Sequence, residues 1–320
     1  MNTKIVYVIV ANKEKIYVEQ AYMSIWSCKH FNKDVRVEVV CDEESIDSIT
    51  GYEELNTLID SIKSFKFEEK ITKFERSRIL KTSLRNLIQG DFLFVDTDTI
   101  FCDSIQEVDD FNFDIGMVED GNLKSFKNHP FKEAVNLRLE KTFNLELTDE
   151  LPYYNSGVIY CKDTDKAKEF YKKWHDNWLI SKSVGYKGMF DQQSLCKTIL
   201  ENPGYVNSIN GIYNAQISEN INYLTPGKIL HFFNTKVIGR HPVHPFLNND
   251  YYKQIQRENR LSDNVKEDII NCKTIFYEPS VLVAGADIPF FKSNTFIIFN
   301  LLLNNKVTNY LLNRIKKFKN

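Results

Sequence analysis

Short apolar runs alternate with amphipathic segments in the first part of the chain. Lys4–Val10 and Val35–Val40 each have the length and apolar content of a buried strand. Between them, Tyr17–Cys28 carries apolar side chains at helical spacing. A strand, a helix and a second strand in this order are typical of parallel strands joined by crossover helices. The pattern therefore predicts an α/β fold with a mostly parallel sheet flanked by helices.

The same alternation continues downstream, although Glu43–Lys73 shows no clear period. The predicted later helices are 74–88, 131–143, 166–179 and 192–200, and the predicted later strands are 92–95, 114–118, 158–160 and 229–230. Leu80, Leu84 and Ile88 share one face of the helix over 74–88. Its basic residues are predicted to be mostly solvated; they are Arg76, Arg78, Lys81 and Arg85.

The character of the sequence changes beyond residue 245. The pattern predicts an α/β domain over 1–245 and a C-terminal helical, aromatic and basic extension over 246–320. The extension contains an apolar, helix-like run at Thr295–Leu303 followed by several Lys and Arg residues. Such a tail suits a peripheral anchor on an anionic membrane. The alternative is a helix packed on its own domain or on a partner subunit.

Composition narrows the class of protein. The 320 residues are 42% hydrophobic and 26% charged, which is the mixture of an ordinary globular protein. A formal net charge of -2 argues against a nucleic-acid binder. The six cysteines are dispersed singly, which suits a reducing compartment. None forms a C-x-x-C pair, so a zinc or redox motif has no support. No apolar run reaches the roughly eighteen residues of a membrane span. A cytoplasmic protein is predicted.

Two carboxylates directly follow a run of four apolar residues. Asp96 and Asp98 come after Phe92–Val95, which is predicted to be a strand buried on both faces. Ligands of open α/β sheets bind at the carboxyl ends of the strands. The two carboxylates could therefore hold a hard divalent cation, and the cation could hold a diphosphate. The alternative for a D-x-D triplet is a solvated turn.

Two further stretches carry candidate site residues. Asn155 and Gly157 lie in a small, polar segment at the sheet edge, where a sugar or phosphate could approach the backbone, or where the chain simply turns. His231 follows a short apolar strand and could complete a metal shell, although such a histidine is more often structural. Lys236 could place an ammonium on a departing diphosphate.

Three more positions are candidates by their place in the predicted elements. Asp191 lies where it could cap a helix while one carboxylate oxygen faces a pocket. Arg78 is the basic residue chosen to reach the diphosphate. Asn12 follows the first strand and could hydrogen-bond a nucleoside. The polar segment 119–130 is predicted to be a loop near this site.

The ordered set of motifs over residues 3–240 resembles the glycogenin-like, family 8-like group of GT-A glycosyltransferases. That group includes bacterial lipopolysaccharide galactosyl- and glucosyltransferases. The motifs are the opening β-α-β, the apolar strand into D-x-D, then N-S-G, D-Q and H-x-x-x-x-K. The resemblance implies metal ligation by Asp96, Asp98 and His231, nucleoside contact by Ala11 and Asn12, donor-sugar contact by Asn155 and Gly157, catalysis beside the anomeric centre by Asp191 and Gln192, and diphosphate binding by Lys236.

The resemblance also implies an activity. It is transfer of a sugar, with retention, from a nucleotide-diphosphate sugar, usually a UDP-sugar, in the presence of Mn²⁺ or Mg²⁺. The expected acceptor is a cell-surface glycan or a lipid-linked molecule at the inner face of the membrane. The chain departs from the family pattern at Val237-Ile238, where Pro-Trp is usual.

Two rival functions remain at this stage. A nucleotidyltransferase also needs carboxylates and a metal, but it normally has a Gly-rich phosphate loop after the first strand, and Ala11-Asn12-Lys13-Glu14 is not one. The second rival is a non-catalytic sugar- or protein-binding module on the same fold.

Overall fold

The computed structural model describes residues 1–11, 16–184, 191–217, 221–232, 246, 249–275, 293–295, 298 and 302. Its strands, in chain order, are β1 (Lys4–Ile9), β2 (Val37–Asp42), β3 (Ser61–Phe65), β4 (Phe92–Val95), β5 (Thr99–Phe101), β6 (Ile115–Glu119), β7 (Tyr154–Cys161), β8 (Val206–Ser208), β9 (Ala215–Gln216) and β10 (Ile229–His231). Its α-helices are α1 (Tyr17–Phe31), α2 (Ile46–Thr50), α3 (Glu53–Leu58), α4 (Lys73–Leu87), α5 (Lys132–Phe143), α6 (Asp165–Val184), α7 (Asp191–Glu201), α8 (Asn249–Glu258) and α9 (Asp263–Ile270).

The central sheet has seven strands in the order β3-β2-β1-β4-β7-β6-β8. Strands β3, β2, β1 and β4 are mutually parallel. Strand β7 runs antiparallel to both of its neighbours, and β6 and β8 are parallel to each other. The predicted α/β class with a mostly parallel sheet is confirmed.

Both faces of the sheet are covered, as the continuous apolar runs of its strands require. Along β1, Ile5, Tyr7 and Ile9 point into one core, which also contains buried residues of α1, α8 and α9. Val6 points into the opposite core, which contains buried residues of α4, α6 and α7. Helices α1, α8 and α9 therefore cover the same face of the sheet.

The prediction that the basic residues of α4 are mostly solvated is wrong. Arg76, Lys81 and Arg85 are all buried, because α4 packs against both the sheet and α6. Each buried cation meets oxygen acceptors. Arg76 Nη1 lies 2.8 Å from Asp42 Oδ2, and Arg85 Nη2 donates to the carbonyl oxygen of Gly90 at 2.9 Å. The segment without a clear period, 43–73, forms α2, α3 and the edge strand β3.

A second, three-stranded sheet has the order β5-β10-β9. Strand β10 runs antiparallel to β5 and pairs His231 with Thr99. The backbone N–H of Phe232 donates to the carbonyl oxygen of Asp98 at 3.0 Å. This pairing brings the end of β10 beside the D-x-D segment, which connects the two sheets.

The chain divides into two compact units. The first comprises Met1–Asn234 and Phe246–Ile275, and the second comprises Thr235–Pro245 and Phe276–Asn320. Nearly all of the second unit lies outside the described residues, and so does most of the proposed tail. The boundary at residue 245 stays a prediction. Within the described residues, no helix combines the length and the apolar character needed to cross a bilayer.

The first turn of α4 supplies a test of stability against pH. The Thr72 N–H donates to Glu75 at 2.8 Å in a capping box, and Lys182 Nζ pairs with the same carboxylate at 2.8 Å. The pKa of Glu75 is lowered from 4.5 to about 2, mainly by the hydrogen bond from Lys182 and next by that from the Thr72 N–H. A carboxyl whose pKa falls on folding stabilises the native state above its unfolded pKa, and this contribution is lost as the pH falls through the folded value.

We therefore expect the free energy of unfolding of the wild type to fall more steeply than that of Glu75→Gln between pH 4.5 and about pH 2. The glutamine keeps an oxygen for the Thr72 N–H but has no charge for Lys182. Urea unfolding at a series of pH values measures the difference. Parallel curves for the two proteins would contradict this assignment.

Candidate active site

Two carboxylates and one imidazole come together at the carboxyl end of β4. Asp96 follows β4, Asp98 precedes β5, and His231 is the last residue of β10. One ligand atom from each lies within 4.8 Å of the others. The opposite ligands of an ion with bonds of about 2.1 Å are about 4.2 Å apart, so a small contraction would close this group around one cation. The three predicted metal ligands are thus adjacent, although β10 is distant from them in sequence.

The orientation of His231 suits a metal ligand. Its Nε2 lies 3.2 Å from Asp98 Oδ1, and its Nδ1 lies 2.9 Å from Asn214 Oδ1. An imidazole that coordinates through one nitrogen usually has its other nitrogen hydrogen-bonded to an oxygen. Two carboxylates and an imidazole form an oxygen-rich set that Mn²⁺ or Mg²⁺ can accept. The residues present therefore fit a divalent cation.

Gly157 lies directly against the imidazole. A Cβ at this position would stand 2.2 Å from His231 Cε1 and 2.8 Å from its Nδ1, closer than non-bonded atoms approach. The adjacent Asp96 N–H donates to the Gly157 carbonyl oxygen at 2.7 Å, so this backbone cannot easily retreat. Gly157 therefore makes room for the histidine, in addition to its predicted contact with the donor sugar.

We expect Gly157→Ala to weaken the binding of Mn²⁺ by at least tenfold, because the methyl group displaces the ring of His231. Isothermal titration of the purified protein with Mn²⁺ measures this effect. Tyr154→Phe, on the same strand, removes only a hydroxyl hydrogen bond to Ser208 and serves as the control. Equal affinities in the alanine and phenylalanine variants would refute the close packing.

Lys81 is a buried cation between two acidic residues. Its Nζ lies 3.2 Å from Asp96 Oδ1, 3.0 Å from Asp191 Oδ2 and 3.2 Å from Ser156 Oγ. Arg78 Nε also lies 3.0 Å from Asp191, at Oδ1. Sequence reasoning missed Lys81 and selected Arg78. Both cations contact Asp191, and Lys81 also contacts Asp96 of the D-x-D segment.

The charges explain the titration of the two carboxyls. Burial acts to raise the pKa of Asp191, but the Arg78 and Lys81 charges outweigh it and lower that pKa far below its usual range. Asp96 shows the reverse, because burial raises its pKa, the Asp98 carboxylate adds to the increase, and Lys81 opposes it. Burial and the Asp98 charge thus disfavour the ionised form of Asp96. A cation bound beside Asp96 would favour that form.

Asp120 is a second residue that sequence reasoning missed, and it is acidic. It begins the short 3₁₀ turn Asp120–Asn122, inside the loop that was predicted to lie near the site. Its Oδ1 accepts from Asn155 Nδ2 at 2.8 Å and from Gln192 Nε2 at 3.0 Å, and its Oδ2 lies 2.9 Å from His129 Nε2. Asp120 thereby connects the N-S-G segment with the D-Q pair.

The structure describes two of the remaining predicted residues, and two others lie outside its described part. Asp191 is the first residue of α7 and directs its carboxylate to Lys81, Arg78 and Ser156. Ala11 is buried after β1, and its N–H and carbonyl oxygen bond to Ser45 and Lys73. Asn12 and Lys236 lie outside the described residues. Their contacts with the nucleoside and the diphosphate stay predictions.

Sequence comparison assigns the family. The model of the nucleotide-diphospho-sugar transferase family matches residues 69–239, more than half of the chain. The chain belongs to this family. The match includes D-x-D, N-S-G, D-Q and His231, so the clustered side chains lie inside the family domain. No curated protein sequence matches the chain.

Solved structures agree with the family. The transferase is similar in fold to the WbbM bifunctional glycosyltransferase in its apo form, with a TM-score of 0.52 and 15% identity, over 85% of this chain and 51% of that one. The chain thus spans about half the length of WbbM. Mouse xyloside xylosyltransferase 1 in its apo form (TM-score 0.49, 13% identity, 74% of this chain and 100% of that one) and GlyE of Streptococcus pneumoniae TIGR4 (0.48, 13%, 86% and 65%) are more distant. The protein is a glycosyltransferase of the GT-A type.

Proposed function

We propose that this glycosyltransferase belongs to the glycogenin-like group and is metal-dependent. Its proposed donor is a nucleotide-diphosphate sugar with UDP as the nucleotide. The observation that carries the proposal is the group formed by Asp96, Asp98 and His231, whose ligand atoms lie within 4.8 Å of one another. These residues would hold Mn²⁺ or Mg²⁺. When bound, such an ion supplies positive charge that neutralises a diphosphate leaving group.

The chain's own cations would add to that charge. Lys81 is held beside Asp96 by its contacts with Asp191 and Ser156, and so needs no rearrangement when charge develops on the leaving group. Arg78 stands on the other oxygen of Asp191. In the described residues these are the basic side chains that contact Asp191, and Lys236 would be a third cation for the diphosphate.

Asp191 and Gln192 would contact the donor sugar near its anomeric centre. Because Asp191 keeps its charge down to low pH, it can stabilise an oxocarbenium-like transition state at any physiological pH. Gln192 is oriented by its hydrogen bond to Asp120. The proposed stereochemistry is retention, with the acceptor hydroxyl attacking from the face that the diphosphate leaves, and NMR of the product's anomeric proton would test it.

A thermal-shift screen tests the donor and the metal together. UDP-, GDP-, dTDP- and CMP-linked sugars are each added with and without Mn²⁺. We expect UDP-sugars to raise the melting temperature only when Mn²⁺ is present, because a ligand at about 100 times its Kd stabilises the native state by about 2.7 kcal/mol. A shift with another nucleotide would correct the base. No shift under any condition would overturn the proposed donor site.

The acceptor and the location are proposed from the sequence. A cell-surface glycan or a lipid-linked acceptor at the inner face of the membrane would suit a cytoplasmic enzyme with the basic residues of 306–319. Cosedimentation of the full chain with anionic vesicles tests this. We expect binding at low salt that Lys316→Glu with Lys317→Glu reduces, and no difference between the two proteins would argue against a peripheral anchor.

A further inference from the structure

Four side chains form a continuous row of hydrogen bonds that ends at the imidazole of His231. Asn155 Nδ2 donates to Asp120 Oδ1 at 2.8 Å, and Asn214 Nδ2 donates to Asn155 Oδ1 at 3.0 Å. Asn214 Oδ1 then lies 2.9 Å from His231 Nδ1. Asn155, Asn214 and His231 are at most 4% exposed, so water cannot replace these partners.

The row has a fixed direction. A carboxylate only accepts, so Asn155 must turn its NH₂ group toward Asp120. The Gly157 N–H imposes the same orientation, because it can only donate and it lies 2.9 Å from Asn155 Oδ1. The Oδ1 of Asn155 therefore faces Asn214, and Asn214 must donate to it from its NH₂ group. Its own oxygen then faces His231.

We propose that Asp120, Asn155 and Asn214 are positioning residues that place a proton on Nδ1 of His231 and so make Nε2 the coordinating atom. Only an Nδ1–H can donate to the oxygen that Asn214 presents. If Nε2 carried the proton instead, it would donate to Asp98, 3.2 Å away, and would obstruct the cation. The hydrogen bonds from Asp120 through Asn155 to Asn214 disfavour this second tautomer. The use of the row in metal binding rests on the proposed function, whereas the position of the proton does not.

The position of the proton can be read without any metal. Long-range ¹H–¹⁵N NMR of protein labelled with ¹⁵N-histidine separates the ring nitrogens of the six histidines, and a His231→Gln sample assigns the signal. At about pH 8 we expect Nδ1 to carry the proton of the neutral ring. A wild-type ring protonated on Nε2, with Nδ1 bare, would overturn the proposal.

Variants of Asn214 test the last link. Asn214→Leu has a similar size but presents no oxygen, and we expect the Nε2–H form to become populated. Asn214→Asp still presents an oxygen and should keep the proton on Nδ1. A purely structural role of Asn214 predicts no change of tautomer in either variant, and that result would contradict the row. Melting temperatures establish that both variants are folded.

Asn155→Leu tests whether the direction is passed along the row, and it serves if Asn214→Leu does not fold. Without the Asn155 oxygen, the Asn214 amide can reverse, and the Nε2–H form should again appear. An unchanged tautomer in folded Asn155→Leu would limit the effect to Asn214 and refute the row.

Calorimetric titration with Mn²⁺ gives the second readout. We expect Asn214→Leu to bind Mn²⁺ about 10- to 100-fold more weakly than the wild type, and Asn214→Asp to bind within a few-fold of it. Equal affinities in wild type and Asn214→Leu would refute the positioning role. A wild type that binds no Mn²⁺ would instead refute the proposed metal dependence, while the NMR spectrum would still decide the position of the proton.

Discussion

Asp98→Asn is expected to abolish the Mn²⁺-dependent thermal shift with nucleotide-diphosphate sugars and to lower the transfer rate by about 10²- to 10³-fold. The amide has the size of the carboxylate but no charge. It therefore removes a predicted ligand whose Oδ1 lies 3.2 Å from His231 Nε2 and leaves the backbone pairing of β5 with β10 intact. Thermal shift and product formation from the donor identified by the screen are the two measurements.

Asp103→Asn is the matched control for this substitution. Asp103 is an exposed carboxylate a few residues further along, and its side chain accepts only from the neighbouring Ser104 N–H among the hydrogen bonds of the described residues. We expect the control to retain both the shift and the rate. If Asp98→Asn kept a metal-dependent shift equal to that of Asp103→Asn, the D-x-D segment could not be the metal site.

Lys81→Met should have the largest effect on stability. Breaking a buried ion pair leaves an uncompensated charge and costs about 3–5 kcal/mol. Here the substitution would leave Asp96 and Asp191 without the ammonium that contacts both of them. Native proteins are stable by only about 5–15 kcal/mol, so the loss should be plain in urea unfolding. Lys70→Met is the control, because the Lys70–Glu68 pair is more than 70% exposed and such pairs contribute about 0–1 kcal/mol.

The deficit of Lys81→Met should also depend on pH. Without Lys81, the pKa of Asp191 in the folded protein rises, because of the two cations only Arg78 still opposes the effect of burial. Protonation of this carboxyl then offsets part of the lost pairing as the pH falls. The difference in unfolding free energy between wild type and Lys81→Met should therefore shrink toward low pH, and that of Lys70→Met should not change. A Lys81→Met variant as stable as Lys70→Met would show that the buried contacts carry little energy.

The parts of the site that were predictable are those with a local signal. Asp96 and Asp98 directly follow four apolar residues, and the strand-end rule for α/β sheets then places them in a ligand site. His231 had only a weak local signal, a short apolar strand before it. It was a candidate to complete a metal shell with Asp96 and Asp98, and the family resemblance gave the same assignment. The fold was predictable because the apolar runs and helical periods are strong in most of the chain.

Lys81, Asp120 and Asn214 were missed because their partners are far away in sequence. Helix α4 carries basic residues on several sides, and such residues are usually solvated. One signal could have distinguished Lys81. It stands three residues before Leu84 and seven before Ile88, so it shares their apolar face, which points to a buried charge with acidic partners. Asp120 and Asn214 lie in turns where polar residues are ordinary, and no periodicity marks them.

The pairing of β5 with β10 has a consequence for how the protein matures. Asp98 and His231 are separated by 133 positions, so their side chains meet only after most of the chain has collapsed. A nascent or half-folded chain would offer no complete cage for a cation. On the proposed metal dependence, a divalent ion would bind only molecules in which β5 and β10 have paired. It would raise the resistance of those molecules to proteolysis and leave incompletely folded chains unprotected.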